Sequence, residues 1–105
     1  MSGRDGTTLP VGFVAYRRTP VFTEASLPAG LRHRHRTKAG VWAAITVLEG
    51  RLRFRRLDPI VQIELDPTAP GIAEPEEFHE VEPLGPVRFF VEFYARPADP
   101  EGQIV

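Results

Sequence analysis

The sequence predicts an all-β domain of roughly eight short strands, folded either as a sandwich or as a barrel. Eleven prolines and nine glycines are spread along the whole chain and interrupt it about every eight to twelve residues, a spacing that suits short strands and leaves little room for long helices. Two separate histidine-bearing segments that converge on one interior point favour a small jelly-roll barrel with a ligand cavity.

Composition narrows the classes of function. A chain of 105 residues with 42% hydrophobic residues is one domain with a real core. A net charge of −1 gives no general attraction to nucleic acid or membranes, so neither is expected as a partner. The lack of an apolar run of about 18 residues and of a signal peptide predicts a cytoplasmic protein. The absence of cysteine excludes disulfides, thiolate ligands and cysteine nucleophiles.

The first third of the chain contains two strand candidates. Residues 11–16 are predicted to form the first strand, and residues 20–22 a short second one. Residues 28–30, Pro-Ala-Gly, then break the chain before a histidine-rich segment.

That segment, residues 31–38, is predicted to be an extended strand. Successive side chains of a strand point to opposite faces, so His33 and His35 share one face. The opposite face carries four cations: Arg32, Arg34, Arg36 and Lys38. Because four cations require solvent, both imidazoles are expected to face the interior. His79 lies in a second, turn-bounded segment, and the fold is predicted to bring the two segments together.

The middle of the chain predicts a hairpin. A continuous apolar run at residues 41–48 indicates a strand covered on both faces, and its β-branched residues favour a strand over a buried helix. Glu49 and Gly50 predict a tight turn, after which residues 51–57 run back. The inward side chains of this returning strand are Leu52 and Phe54, and its solvated face consists of Arg51, Arg53, Arg55 and Arg56.

The second half alternates turns and strands in the same way. The predicted turns are residues 58–59, 66–71 and 83–86. The predicted strands are residues 60–65, a segment through His79 and Val81, and residues 87–94. The last strand is expected to bury one face: Val87, Phe89, Val91 and Phe93.

Two motifs resemble the TehB/YeaR-like cupin domain, which occurs alone and as the N-terminal part of tellurite-resistance methyltransferases. The first motif consists of residues 35–42 (HRTKAGVW) and 46–54 (TVLEGRLRF). The second is residues 74–83 (EPEEFHEVEP), and Phe93 with Tyr94 resembles the closing strand of the family.

The resemblance covers most of the chain. It implies a cupin-type double-stranded β-helix, a small jelly-roll barrel, over residues 18–96. Residues 1–17 would precede the barrel as a lead with the first strand, and residues 97–105 would follow it as an irregular tail.

The resemblance also implies a metal site. Cupins take metal ligands from an H-x-H pair and a later histidine, which correspond here to His33, His35 and His79. The glutamate that usually follows the pair is absent, since Ala39 and Gly40 stand there. One divalent transition metal (Zn, Fe, Ni, Cu or Mn) is therefore expected on three imidazoles, with the open position left for water or a small ligand, an anion being one candidate.

Plainer interpretations stand beside these. The histidines could be hydrogen-bonded core residues, or the Arg-His repeat could be a solvated basic edge that touches phosphate. Four further side chains are candidate ligand contacts: Thr37, Lys38, Trp42 and Glu77. The alternatives are that Lys38 is solvated at a strand end, that Trp42 is packed in the core and that Glu77 is a surface residue.

The expected function is a small metal-binding cupin with a small-molecule partner, linked by the resemblance to tellurite or oxyanion stress. The alternatives are a non-catalytic ligand-binding or sensing module, a dioxygenase-like or Lewis-acid enzyme, and a metal-free structural barrel. No residue is identified as catalytic. Methyltransferase activity is not expected, because the chain lacks a Gly-rich strand–turn–helix unit. A homodimer that pairs through edge strands is a further expectation.

Overall fold

Six strands form one antiparallel sheet in the computed structural model, which describes residues 6–97. The strands are β1 (Val14–Arg18), β2 (Phe22–Thr23), β3 (Trp42–Leu57), β4 (Ile60–Leu65), β5 (Gly71–Ala73) and β6 (His79–Ala95). One short 3-10 helix, Ala29–Arg32, lies between β2 and β3. The first five residues of the predicted lead and nearly all of the predicted tail, residues 98–105, lie outside the described part of the chain.

Two long strands, β3 and β6, organise the sheet. They pair from Trp42 opposite Tyr94 to Arg56 opposite His79, which is nearly their whole length. The order of the sheet is β1-β6-β3-β4, with β2 also paired to β6 and β5 also paired to β3. Every neighbouring pair is antiparallel, which confirms the predicted all-β single domain and agrees with a small barrel.

The core lies against the inner faces of β3 and β6. The predicted inward residues Leu52 and Phe54 are fully buried. The largest other side chains with essentially no exposure are Leu65, Ile72, Val87 and Phe89. Within β4 the predicted alternation also holds, because Gln62 and Glu64 are exposed while the residues between them are less so.

The predicted hairpin turn at Glu49 and Gly50 is wrong. The chain continues through both residues as part of β3, and Gly50 pairs with Val87 of β6. Gly50 has a φ of +82°, and a Cβ at this position would overlap the carbonyl oxygen of Pro86. The glycine therefore permits a close approach of two strands rather than a reversal of one.

The predicted strand end at residues 83–86 is also wrong, and for a related reason. β6 continues through this segment, but its register with β3 shifts between the pairs Gly50–Val87 and Leu52–Pro83. Residues 84–86 of β6 thus face one residue of β3. Glycine and proline are found at large bulges as well as at turns. Here Gly50 of β3 lies opposite the Pro- and Gly-containing residues 83–86 of β6, at the point where the register of the two strands shifts.

The start of the sheet lies later than predicted. β1 begins at Val14 instead of residue 11 and continues to Arg18, and a bulge separates Ala15 from Arg17. Among the described residues, no helix is long and apolar enough to cross a membrane.

Candidate functional site

The structure brings two of the three histidines together. The backbone N–H of His35 donates to the carbonyl of His79, and the N–H of His79 donates to the carbonyl of His35, both at 2.8 Å. Nδ1 of His35 lies 3.4 Å from Nε2 of His79, and the ring centroids are 5.3 Å apart. The predicted convergence of the two histidine segments is therefore seen for this pair.

His33 does not face the interior, so that expectation is corrected. The predicted strand at residues 31–38 is absent: Leu31 and Arg32 end the 3-10 helix, a bend follows, and His35 forms only an isolated bridge. Arg34 has a φ of +38°, which interrupts the alternation on which the prediction depended. His33 is exposed and lines a separate surface depression with Arg53 and Arg55.

His79 is held as a neutral imidazole. Its Nδ1–H donates to the backbone carbonyl of Glu77 at 2.9 Å, which leaves the Nε2 lone pair directed towards His35. The pKa of His79 is lowered to about 4, chiefly by burial and to a smaller extent by the charges of His35 and Arg56, while the bond to Glu77 opposes the shift. Burial also lowers the pKa of His35. Each ring therefore has one unprotonated nitrogen at neutral pH, and without a metal Nδ1–H of His35 donates to Nε2 of His79.

Arg56 and Glu77 form a partly buried ion pair behind His79, which corrects two predictions. Arg56 was expected on the solvated face of β3 but is only 6% exposed, and its Nη1 donates to Oε1 of Glu77. Its Nη2 donates to the carbonyl of Ile72 at 2.7 Å and to Oγ1 of Thr7 at 2.9 Å. Burial raises the pKa of Glu77, while Arg56 lowers it. Glu77 is thus a structural partner of Arg56 and holds the turn that orients His79.

Both histidines open into a cavity of about 330 Å³. Its wall is mostly apolar, and the polar side chains on it are His35, His79, Arg17 and Thr19. The apolar side chains on it include Phe22, Leu31, Ala43, Val81, Phe89 and Phe93. No aspartate or glutamate is among the described residues that line it.

The four predicted ligand contacts do not line this cavity. Thr37 is buried, and its hydroxyl donates to the carbonyl of Val41 at 2.7 Å. Lys38 is exposed, and Trp42 packs edge-on against Phe13 with ring centroids 6.2 Å apart. Of the plainer alternatives, the solvated lysine describes the structure, whereas Trp42 is half-buried and lies outside the core cluster.

Arg17 is the cavity residue that sequence reasoning missed. Alternation places residues 15 and 17 on one face, yet Ala15 pairs with Tyr94 and Arg17 pairs with Phe93. Directly opposed residues of an antiparallel pair point to the same side, so the bulge at Tyr16 turns Arg17 to the face of Phe93. A bulge between two regular strand residues leaves no clear signal in the sequence.

The imidazoles of His35 and His79 can supply two ligands to one metal ion, and no third ligand lies close to them among the described residues. Two ligand nitrogens of a tetrahedral ion at about 2.0–2.1 Å are roughly 3.3–3.4 Å apart, which matches the separation of the two imidazole nitrogens. Within residues 6–97, however, no three side chains of His, Asp or Glu are close enough to hold one ion. The predicted set of His33, His35 and His79 is therefore not assembled in this structure.

The fold and the site define a class: a small antiparallel β-barrel with a histidine pair in an apolar cavity. The TehB-like domain family matches residues 17–91, and the chain belongs to this family. The resemblance of the two motifs is thereby confirmed.

Two relatives match the chain over very different shares of their own length. The chain is 36% identical over 76 residues to the probable S-adenosyl-L-methionine-dependent methyltransferase TehB of Haemophilus influenzae, covering 68% of this chain and 27% of that protein. It is 25% identical over 101 residues to YeaR of Escherichia coli K12, covering 85% and 83%. The chain thus spans about a quarter of TehB and most of YeaR.

Solved structures agree with this assignment. The crystal structure of TehB from Haemophilus influenzae superimposes with a TM-score of 0.78 at 27% identity, over 89% of this chain and 35% of that one. A crystal structure of a protein from Escherichia coli K12 gives a TM-score of 0.80 at 23% identity, over 87% and 98%, and shows the shared fold.

Proposed function

We propose that this protein is a small-molecule-binding barrel in which His35 and His79 hold one divalent transition-metal ion at the cavity wall. The observation that carries the proposal is the pair of neutral imidazoles, whose facing nitrogens are 3.4 Å apart inside an otherwise apolar cavity. A bound ion would act as a Lewis acid towards a donor group of the ligand.

The surroundings of His79 support this assignment. Metal-binding histidines usually donate their second ring N–H to a carbonyl or carboxylate, which fixes the tautomer and the ring orientation. Here the carbonyl of Glu77 accepts that bond, and the side chain of the same residue is fixed by Arg56. The lowered pKa of His79 keeps its Nε2 unprotonated well below neutral pH, so a metal does not have to displace a proton there.

Two protein ligands leave several coordination positions free. Structural zinc sites use four protein ligands and catalytic ones usually three, so binding to His35 and His79 alone is expected to be weaker and to strengthen when the small molecule supplies a donor. This coupling suits a binding or sensing module. The described cavity wall offers no carboxylate as a general base, so in an enzyme this role would fall to His35 or His79.

The link to tellurite or oxyanion stress comes from the resemblance alone, and we propose it only as a biological setting. The printed activity of TehB belongs to a protein of which this chain covers 27%, so methyl transfer is not proposed here.

The test is metal analysis by plasma mass spectrometry on untagged protein, after dialysis against Zn, Cu, Ni, Fe(II) or Mn. We expect stoichiometric binding of at least one ion by the parent and by His33→Ala, and loss in His35→Ala. His79→Gln should also lose the ion, with circular dichroism to verify its fold. Absence of metal from the parent under all five conditions would refute the site. Equal loss in His33→Ala and His35→Ala would restore the three-histidine interpretation.

A further inference from the structure

We propose that the ligand of this cavity is a small organic carboxylate with an apolar body, and that Arg17 binds its carboxylate at the rim. This inference rests on the proposed function for the location of the site, but it does not require the metal.

The wall of the cavity argues for an apolar body. Three phenylalanines, Phe22, Phe89 and Phe93, lie on it, and Phe22 and Phe89 pack edge-on with centroids 5.7 Å apart. A ligand that fills such a site gains free energy in proportion to the apolar surface it removes from water. A volume of about 330 Å³ is at the lower end for small-molecule sites, so the body is small.

The same wall argues against an inorganic oxyanion. Such an ion needs hydrogen-bond donors on every side to replace its hydration, and burial without them is costly. The hydroxyl of Thr19 is already engaged, since it donates to the carbonyl of Pro20 at 2.9 Å and accepts from the N–H of Val91 at 3.0 Å. That leaves Arg17 and the histidine pair as the polar contacts, which suits one anionic group on an otherwise apolar molecule.

Arg17 is available for this group. Its neighbour Arg18 is paired with Glu92 at 2.9 Å, and arginines of β3 are paired with glutamates across the sheet. Within residues 6–97, Arg17 makes no ion pair or hydrogen bond through its side chain. The bulge at Tyr16 turns the Arg17 side chain to the cavity face. Bulges commonly re-aim a side chain in this way.

The chemistry of the side chain sets the preferred head group. A guanidinium presents a planar fork of N–H donors that matches a carboxylate through two parallel hydrogen bonds. An alcohol of the same shape cannot accept this pair of charge-assisted bonds. Binding should therefore discriminate between acid and alcohol, and the discrimination should depend on Arg17.

The test measures the binding of a series of small molecules to the full chain, in its metal-free and zinc-loaded forms. Calorimetry gives the affinities, and NMR shifts of cavity residues locate the bound molecule. The probes are benzoate and hexanoate, the matched alcohols benzyl alcohol and hexan-1-ol, and the inorganic ions sulfate and tellurite. We expect the acids to bind in the cavity about tenfold or more tightly than the alcohols, and the inorganic ions to leave the cavity resonances unchanged.

Two variants distinguish a direct contact by Arg17 from a general effect of positive charge on this strand. Arg17→Gln should reduce acid binding by about tenfold and leave alcohol binding unchanged, whereas Arg18→Gln, one residue along on a paired side chain, should change neither. The proposal is overturned if neither acid binds, if the alcohols or inorganic ions bind as tightly, or if Arg17→Gln has no selective effect. Acid binding that persists without any metal affinity would refute the metal site alone.

Discussion

His35 and His79 are joined through their main chains by two reciprocal 2.8 Å hydrogen bonds, while their imidazole nitrogens face each other at 3.4 Å. These two bonds join the segment before β3 to His79, the first residue of β6. They fix the spacing of the two rings from the backbone, so the geometry of the site does not depend on flexible side chains alone.

The first prediction concerns pH. In metal-free protein the pKa of His79 is about 4, below its ordinary value of 6.5, so the unfolded chain binds more protons between these values. Stability present above pH 6.5 is therefore lost as the pH falls towards 4, by about 3 kcal/mol at most. Urea unfolding across this range measures it. His79→Gln should flatten the profile and His33→Gln should not, and an unchanged slope in His79→Gln would contradict the assignment.

The second prediction concerns the bulge at Gly50. Gly50→Ala forces a Cβ onto the carbonyl of Pro86, whereas Gly85→Ala, at another residue with positive φ, meets no atom within 4 Å. Gly85→Ala should cost about 1 kcal/mol from backbone strain, and Gly50→Ala at least about 2 kcal/mol more. Chemical denaturation of both variants measures the difference. Equal costs would mean that the strands are not in close approach there.

The third prediction concerns the ion pair behind His79. Glu77→Gln removes the charged acceptor of one Arg56 N–H donor and should destabilise the fold by about 1.5–3 kcal/mol. The control is Arg51→Gln, which breaks a pair with Glu64 whose side chains are 58% and 44% exposed. That change should cost less than about 1 kcal/mol. Thermal unfolding compares the two, and similar small losses would show that the buried pair contributes no more than the surface pair.

The fourth prediction uses two neighbouring alanines of β3. Ala43 lines the cavity, whereas Ala44 is fully buried and does not line it. Ala43→Leu should fill part of the cavity and abolish binding of benzoate, with little change in stability. Ala44→Leu enlarges a side chain that has no exposed surface and should cost about 1–3 kcal/mol. Calorimetry and denaturation together test the pair, and full benzoate binding by Ala43→Leu would place the ligand elsewhere.

Local patterns were sufficient for the fold class but not for its turns. The alternation in residues 60–65 and the apolar face of residues 87–93 predicted real strands, because a side chain's face is set by its neighbours along the chain. The signals at Gly50 and at residues 83–86 were read as turns. Each marks a bulge instead, since a positive φ or a proline permits either outcome, and only the partner strand decides between them.

The site was predicted in part for the same reason. His35 and His79 were identified as residues that meet, whereas His33, Thr37, Lys38, Trp42 and Glu77 were expected near them and lie elsewhere. Strand parity failed between His33 and His35 because Arg34 adopts a positive φ. Parity also failed between Ala15 and Arg17, where one extra residue reverses the face.

The sequence by itself determined an antiparallel β domain of the TehB-like family and two segments whose histidines converge, because periodicity and motif spacing are local properties of the chain. The tertiary structure decided which imidazoles face each other, that Arg56 is buried with Glu77, and that Arg17 reaches the cavity. These depend on bulges, registers and the positive φ of Arg34, whose consequences arise only when strands distant in sequence are paired.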